Sequence, residues 1–200
     1  MSKIPGNLGK GFAHLDKLGS LLRGMVYANE LGAPALANAS AVLLETALGD
    51  GEITEVAEDI NSPDIPRNLS ITGVEGGETA LEGDVVIEGT NILDREITET
   101  IALSGTDTVA GSKAFKTVTR IILPERKQAG DKVKVGTGKL LGLHQPLDSE
   151  DEVIVAFLNK AIQSAVGKVT TDSDAVEKNT IDLSAGTYNG TKRASVLLKG

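Results

Sequence analysis

Short β-prone runs broken by Gly, Asn and Asp, with no long helical pattern between them, constrain this 200-residue chain more than any other feature. Ile97, Glu99, Ile101 and Leu103 alternate with Thr98, Thr100 and Ala102, the period of two that gives a strand two unlike faces. Similar runs lie at Leu69–Val74, Asp84–Glu88, Ala114–Leu123, Lys132–Val135 and Ala194–Leu198. Turn-forming stretches separate them: Gly73/Gly76/Gly77, Gly89-Thr90-Asn91, Gly105-Thr106-Asp107, Gly111-Ser112 and Gly136-Thr137-Gly138. Strands this short and this frequent predict a mainly β fold, an antiparallel β-sandwich (Ig-like or jelly-roll-like), rather than a parallel sheet with crossover helices.

One segment reads two ways. Ser149 and Glu152 stand at capping-box spacing, and Ala156, Leu158, Ala161, Ile162 and Ala165 would pack as a helix. The run Val153-Ile154-Val155-Ala156-Phe157-Leu158 is equally a buried strand closed by a turn at Asn159-Lys160, and this is the favoured reading. Further on, Tyr188-Asn189-Gly190 is a hairpin signal ahead of the last strand.

The N-terminal segment differs in kind. Residues 1–29 hold Lys3, Lys10, Lys17 and Arg23 against Asp16, a balance of +3, which leaves −11 on the remainder of a chain whose net charge is −8. Pro5, Gly6, Gly9 and Gly11 make its first part costly to order. From there Phe12, Leu15, Leu18, Leu22, Met25 and Val26 recur every three or four residues, a stripe for one face of a helix weakened by Gly19 and Gly24. The expected organisation is an extended or helical N-terminal arm over residues 1–45, followed by a β-sandwich domain over 46–200. The stripe would pack either on the chain's own domain or on a neighbouring subunit; for the latter, Phe12, Leu15, Leu18, Leu22 and Met25 with Lys3, Lys10, Lys17 and Arg23 are the expected partner-binding groups.

Composition removes several kinds of chemistry. With no Cys there is no disulfide, thiolate metal site or thiol nucleophile. The acidic balance opposes phosphate neutralisation, so nucleic acid is not an expected partner. No run approaches the ~20 apolar residues that cross a bilayer, and no apolar leader of the secretory kind is seen, so neither a membrane partner nor export is expected. Three Phe, two Tyr and no Trp are poor material for a ring-lined ligand pocket.

Candidate chemical motifs are weak. The run Val135-Gly136-Thr137-Gly138-Lys139-Leu140 places Val133 and Leu140 where a phosphate loop needs Gly and Ser/Thr, so it reads as a β-turn. His14 and His144 have no second ligand at helical spacing. Asp172-x-Asp174 and the cluster Asp148/Glu150/Asp151/Glu152 lack the spacing of a calcium loop and read as solvated acidic turns. No catalytic residue, cofactor or metal is expected, and the chain is not expected to be an enzyme.

Several phrases together carry a resemblance: Pro63-Asp64-Ile65-Pro66-Arg67-Asn68-Leu69-Ser70-Ile71-Thr72, Val86-Ile87-Glu88-Gly89-Thr90-Asn91, Ile97-Thr98-Glu99-Thr100-Ile101, Lys113-Ala114-Phe115-Lys116-Thr117-Val118 and Val135-Gly136-Thr137-Gly138. Over about residues 60–145 the chain resembles virion structural proteins of tailed bacteriophages. The resemblance implies a non-enzymatic capsid decoration or cement protein, found in the virion and in the host cytoplasm during assembly. Its implied partners are the major capsid protein and copies of itself, in a homo-oligomeric arrangement on the particle. A tail or baseplate component and a glycan-binding adhesin module are the alternative expectations. In the same stretch, Pro63 and Pro66 stiffen the lead-in to a strand, Arg67 is placed either to pair with an acidic side chain or to stand exposed, and Phe115 is placed to anchor the core.

Overall fold

The computed structural model describes residues 26–163, 169–183 and 187–199. The fold is mainly β and every strand pairing in it is antiparallel. One four-stranded sheet has the order β1 (Val26–Gly32), β14 (Ala194–Lys199), β10 (Val153–Leu158), β11 (Ala161–Ile162). A six-stranded sheet runs β12 (Val169–Thr170), β13 (Thr180–Asp182), β9 (Lys132–Gly142), β4 (Arg67–Val74), β7 (Thr108–Phe115), with β2 (Leu43–Ala47) also paired to β9. The other four-stranded sheet has the order β3 (Thr54–Val56), β8 (Thr117–Leu123), β5 (Asp84–Thr90), β6 (Glu96–Ala102).

Two buried clusters organise these sheets. In the first, Leu69 and Ile71 of β4, Val133 and Val135 of β9, and Phe115 of β7 meet Val85, Ile87, Ile97, Ile101 and Ile121 of the β5–β6–β8 sheet. In the second, Leu141 at the far end of β9 joins Leu31, Leu158, Ile181, Tyr188, Val196 and Leu198. The long strand β9 therefore serves both cores, one with each half. Phe115 is the fully buried anchor expected of it.

The alternation in β6 puts Ile97, Glu99 and Ile101 inward as a set, and Thr98, Thr100 and Ala102 outward. Glu99 is tolerated there because its Oε1 accepts from Ser112 N (2.7 Å), Ser112 Oγ (3.0 Å) and Lys113 N (3.2 Å), stitching β6 to β7. The run Ala114–Leu123 is two strands, not one: β7 ends at Phe115, and β8 begins at Thr117 in a different sheet. Lys116 sits at the crossing, where its N–H donates to Thr90 O at 2.8 Å.

The boundary expected at residue 45 falls elsewhere. Val26 pairs with Lys199 and Leu43 with Val135, so residues 26–32 and 43–47 belong to the sheets. The helical stripe consequently cannot include Val26; its other members lie outside the described residues. The segment 149–158 resolves as the strand reading. Ser149 Oγ caps a short 3-10 turn at Glu150–Glu152, β10 follows, and the chain reverses at Asn159-Lys160, both with positive φ (53° and 68°). The signal at Tyr188-Asn189-Gly190 is a turn but not a hairpin: β14 pairs with β1 and β10, and β13 lies in another sheet.

The Gly136-Thr137-Gly138 turn is also overturned, since these residues lie in the middle of β9. Between Leu69↔Thr137 and Arg67↔Leu141 the ladder accommodates two extra residues of β9. Arg67 and Asn68 fill the resulting bulge. The fully buried guanidinium donates to Gly138 O through Nε (2.9 Å) and Nη2, and through Nη1 to Ala35 O (3.0 Å) and Asp64 Oδ1 (3.1 Å). Asn68 accepts from Leu140 N (2.9 Å) and donates to Gly111 O (2.7 Å). Of the two readings of Arg67 the paired, buried one holds, and it fastens β4 to β9 at the bulge.

Asp131 closes the loop before β9 in a similar way, accepting from Gly76 N (2.8 Å), Lys127 N (2.9 Å) and Gln128 N (2.9 Å). Burial by itself lifts this carboxyl, but the three N–H groups and the Arg126 charge outweigh it and hold it below its ordinary value. Because folding depresses the value, the ionised group's contribution is complete above about pH 4 and is lost as pH falls through the folded value. Asp131→Asn is expected to cost about 1–3 kcal/mol at neutral pH. Urea titrations should show the gap to the parent protein narrowing below about pH 4; a gap independent of pH would refute the assignment.

Candidate interaction surface

The β1–β14–β10–β11 sheet turns one face to the second core, and its other face carries half-buried and exposed side chains. Register decides which side chains point outward. Val196 and Leu198 are fully buried, so their neighbours Ser195, Leu197 and Lys199 take the opposite face. Across the ladder Ala28 and Val155 stand opposite Leu197, while Glu30 and Phe157 stand opposite Ser195, and Ile162 continues the second row beyond Phe157.

The result is a row of Ala28, Leu197 and Val155 beside a row ending in Phe157 and Ile162. Val26 (52% exposed) and Ile162 (66% exposed) mark its two edges, and Leu197, Val155 and Phe157 are half-buried. A hollow of about 410 Å³ opens on this face between Glu30, Phe157, Lys160, Arg193 and Ser195. An apolar centre with a charged margin is the usual layout of a protein-binding patch. One cause lies in the sequence: Val153–Leu158 is apolar at every position, as a strand buried on both faces would be, yet only one face meets the core.

The sequence-predicted binding residues Lys3, Lys10, Phe12, Leu15, Lys17, Leu18, Leu22, Arg23 and Met25 all lie outside the described residues. The chain enters the described structure at Val26, on the edge strand of this sheet. Sequence reasoning missed the outer face itself. A reader could have found it only by knowing that β1, β14 and β10 are neighbours, because the row Ala28–Leu197–Val155 is assembled from three distant segments.

The other chemical candidates are occupied with the fold. Asp172 Oδ1 accepts from Asp174 N and Ala175 N, and Oδ2 from Lys178 Nζ (2.8 Å). The Lys178 hydrogen bond is the main reason this carboxyl sits below its ordinary value. Ser149 Oγ takes Asp151 N, and Glu152 Oε1 takes Asp148 N. Among the described residues no group of three His, Asp or Glu is gathered to hold a metal ion. His144 is half-buried, and burial lowers its imidazole below the usual value. His14 lies outside the described residues. Tyr188, whose hydroxyl accepts from Leu183 N (2.9 Å), is pushed up to about 12 chiefly by burial and lies 6.0 Å beneath the Arg67 guanidinium.

Among the described residues no helix is long and apolar enough to cross a membrane. Compared with models of protein families, with curated proteins and with solved structures, the chain matches none.

Proposed function

We propose that this chain is a non-enzymatic virion structural protein, a decoration or cement protein that binds and stabilises a phage head shell. Its partners are the major capsid protein and other copies of itself, and its place is the virion, reached through assembly in the host cytoplasm. The observation that carries the reading is the partly exposed apolar row Ala28–Leu197–Val155 on the outer face of the β1–β14–β10–β11 sheet, whose edge strand directly follows in sequence a basic, glycine-laced, apolar-striped leader. A body held rigid by buried hydrogen bonds, with one sticky face and one tether, suits holding other molecules in place. The resemblance to tailed-phage structural proteins points the same way. The proposed fold type is a sandwich of the Ig-like or jelly-roll-like kind, because the six-stranded sheet and the β5–β6–β8 sheet contribute to one core.

The mechanism is multivalency: each leader contact is modest, but on an assembled shell the second contact is effectively intramolecular and the sum is tight. Ordering the leader costs about 1–2 kcal/mol per residue, so its apolar stripe has to be buried well on binding. The full-length variant Leu15→Asp/Leu22→Asp is expected to stay folded by circular dichroism and to bind undecorated shells at least about ten-fold more weakly, a loss of 1.4 kcal/mol or more. Undiminished shell binding would end the tether reading. Any deletion used alongside it must stop at Met25, since removing residues up to 29 takes half of β1 with it.

A further inference from the structure

We propose that the outer face of the β1–β14–β10–β11 sheet packs on the same face of a second copy, so that the acidic turn Asp148–Glu152 of each copy meets the hollow at Lys160 and Arg193 of the other. The inference rests on the reading that copies of this chain are partners, and it names the surfaces they share. The face is oppositely charged at its two ends. Leu158 pairs with Ala194, so Lys160, Lys192 and Arg193 gather at one end, where Asn159 N donates to Arg193 O (2.8 Å) and ties the turn to the neighbouring loop. Against Glu30 they leave a balance of +2, in a chain whose net charge is −8. Val153 pairs with Leu198 at the other end, where β10 starts directly after Glu150–Glu152. There Asp148, Glu150, Asp151 and Glu152 stand against Lys199, a balance of −3. Lys160, Arg193, Glu150 and Asp151 are exposed and in no ion pair among the described residues, whereas Lys116, Arg120, Arg126 and Lys132 each have a carboxylate beside them.

Spacing makes this face self-complementary. The pair Val155↔Leu197 lies midway: Arg193 stands four residues before Leu197, and Glu150–Glu152 three to five before Val155. Each end is therefore roughly 10–17 Å from the middle, at about 3.4 Å per residue. A two-fold axis lying between the sheets along the row Ala28–Leu197–Val155 stacks that row on its own copy and sets each acidic turn over the other copy's hollow. The sheet alone offers roughly 300–400 Å², against about 800 Å² that a standard interface takes from each partner. The apolar row is thus too small to hold a dimer by itself, and the charged ends decide whether it forms.

The test reverses each end in the full-length protein. Lys160→Glu/Arg193→Glu and Glu150→Lys/Asp151→Lys alter exposed side chains only, and both proteins are expected to keep the parent's circular dichroism. In sedimentation equilibrium the parent is expected to dimerise, more tightly at low salt. Each variant alone is expected to dimerise at least about ten-fold more weakly, because both contacts then set like charges together. An equimolar mixture of the two variants is expected to recover the association, since each reversed end then meets its opposite. A parent that stays monomeric at high concentration, or a mixture no stronger than its components, would overturn the proposal.

A second measurement leaves the charges untouched. The chain has no cysteine, so Leu197→Cys places a single thiol on the axis, where it faces its own copy. A short bis-maleimide is expected to join two copies at a yield about ten-fold or more above that of Thr98→Cys, on the outward side of β6, because only a formed contact gives the thiols a high effective concentration. Equal yields would overturn the axis. The two readings fail separately. Charge-dependent dimers in a protein that does not bind shells refute decoration and leave this contact standing, whereas shell binding without such dimers refutes the contact alone.

Discussion

Arg67→Met is expected to destabilise the protein by about 3–5 kcal/mol, a large part of the 5–15 kcal/mol that holds an ordinary domain together. The side chain is fully buried, and its donors reach Gly138 O, Ala35 O and Asp64 Oδ1 from one planar fork. A methionine of similar length fills part of the space but leaves the two carbonyls without donors at the bulge of β9. Arg67→Lys should recover only part of the loss, since an ammonium on a flexible stem cannot reproduce the fork. Asp64 supplies the counter-charge, its Oδ1 accepting from Arg67 Nη1 (3.1 Å) and its Oδ2 from Ala35 N (2.6 Å), so Asp64→Asn, which leaves the buried guanidinium without an opposite charge, should cost about 1–3 kcal/mol, moderated by the 32% exposure of the Asp64 side chain. Urea midpoints for the three variants test this order. A cost below about 1 kcal/mol for Arg67→Met would mean that the bulge is held by Asn68 and by core packing instead.

Much of this architecture is legible in the sequence where local pattern and tertiary environment agree. The alternation through Ile97–Leu103 gives β6 with its inward Glu99, the two prolines before Arg67 give the start of β4, and β10 begins one turn after the Ser149 cap. The errors share one cause, which is that the deciding contact lies far away in the chain. Lys116 separates two strands because the chain there changes sheets, and nothing in Ala114–Leu123 announces it. β1 follows an apolar spacing that suits a helix, and its strand partner is 173 residues away at Lys199 in the pairing Val26↔Lys199. The interaction face is invisible for the same reason: each strand shows its own apolar residues, but only the register shows that they form one surface.

The glycines of β9 are the sharpest case, and they carry the second large prediction. Read locally, Gly136-Thr137-Gly138 is a turn; in the fold Gly136 lies in the middle of a strand because the chain at Asn38–Ala39 crosses directly over it. A Cβ at Gly136 would sit 2.5 Å from the Ala39 backbone and closer still to the Asn38 carbonyl oxygen, and neither is the movable end of a side chain. The same segment is fastened to β9 by Thr137 N donating to Asn38 O (2.9 Å) and Val42 N donating to Val135 O (3.0 Å), so it cannot back away without losing these bonds. Gly136→Ala is therefore expected to cost about 3 kcal/mol or more, the upper end of what overpacking does. Gly51→Ala is the matched control, because a Cβ there meets nothing within 4 Å and the only penalty is its φ of +69°, about 1–2 kcal/mol. Chemical denaturation of both variants separates crowding from backbone strain. Equal losses would show that the Asn38–Ala39 crossing yields freely and that strand glycine serves some other end.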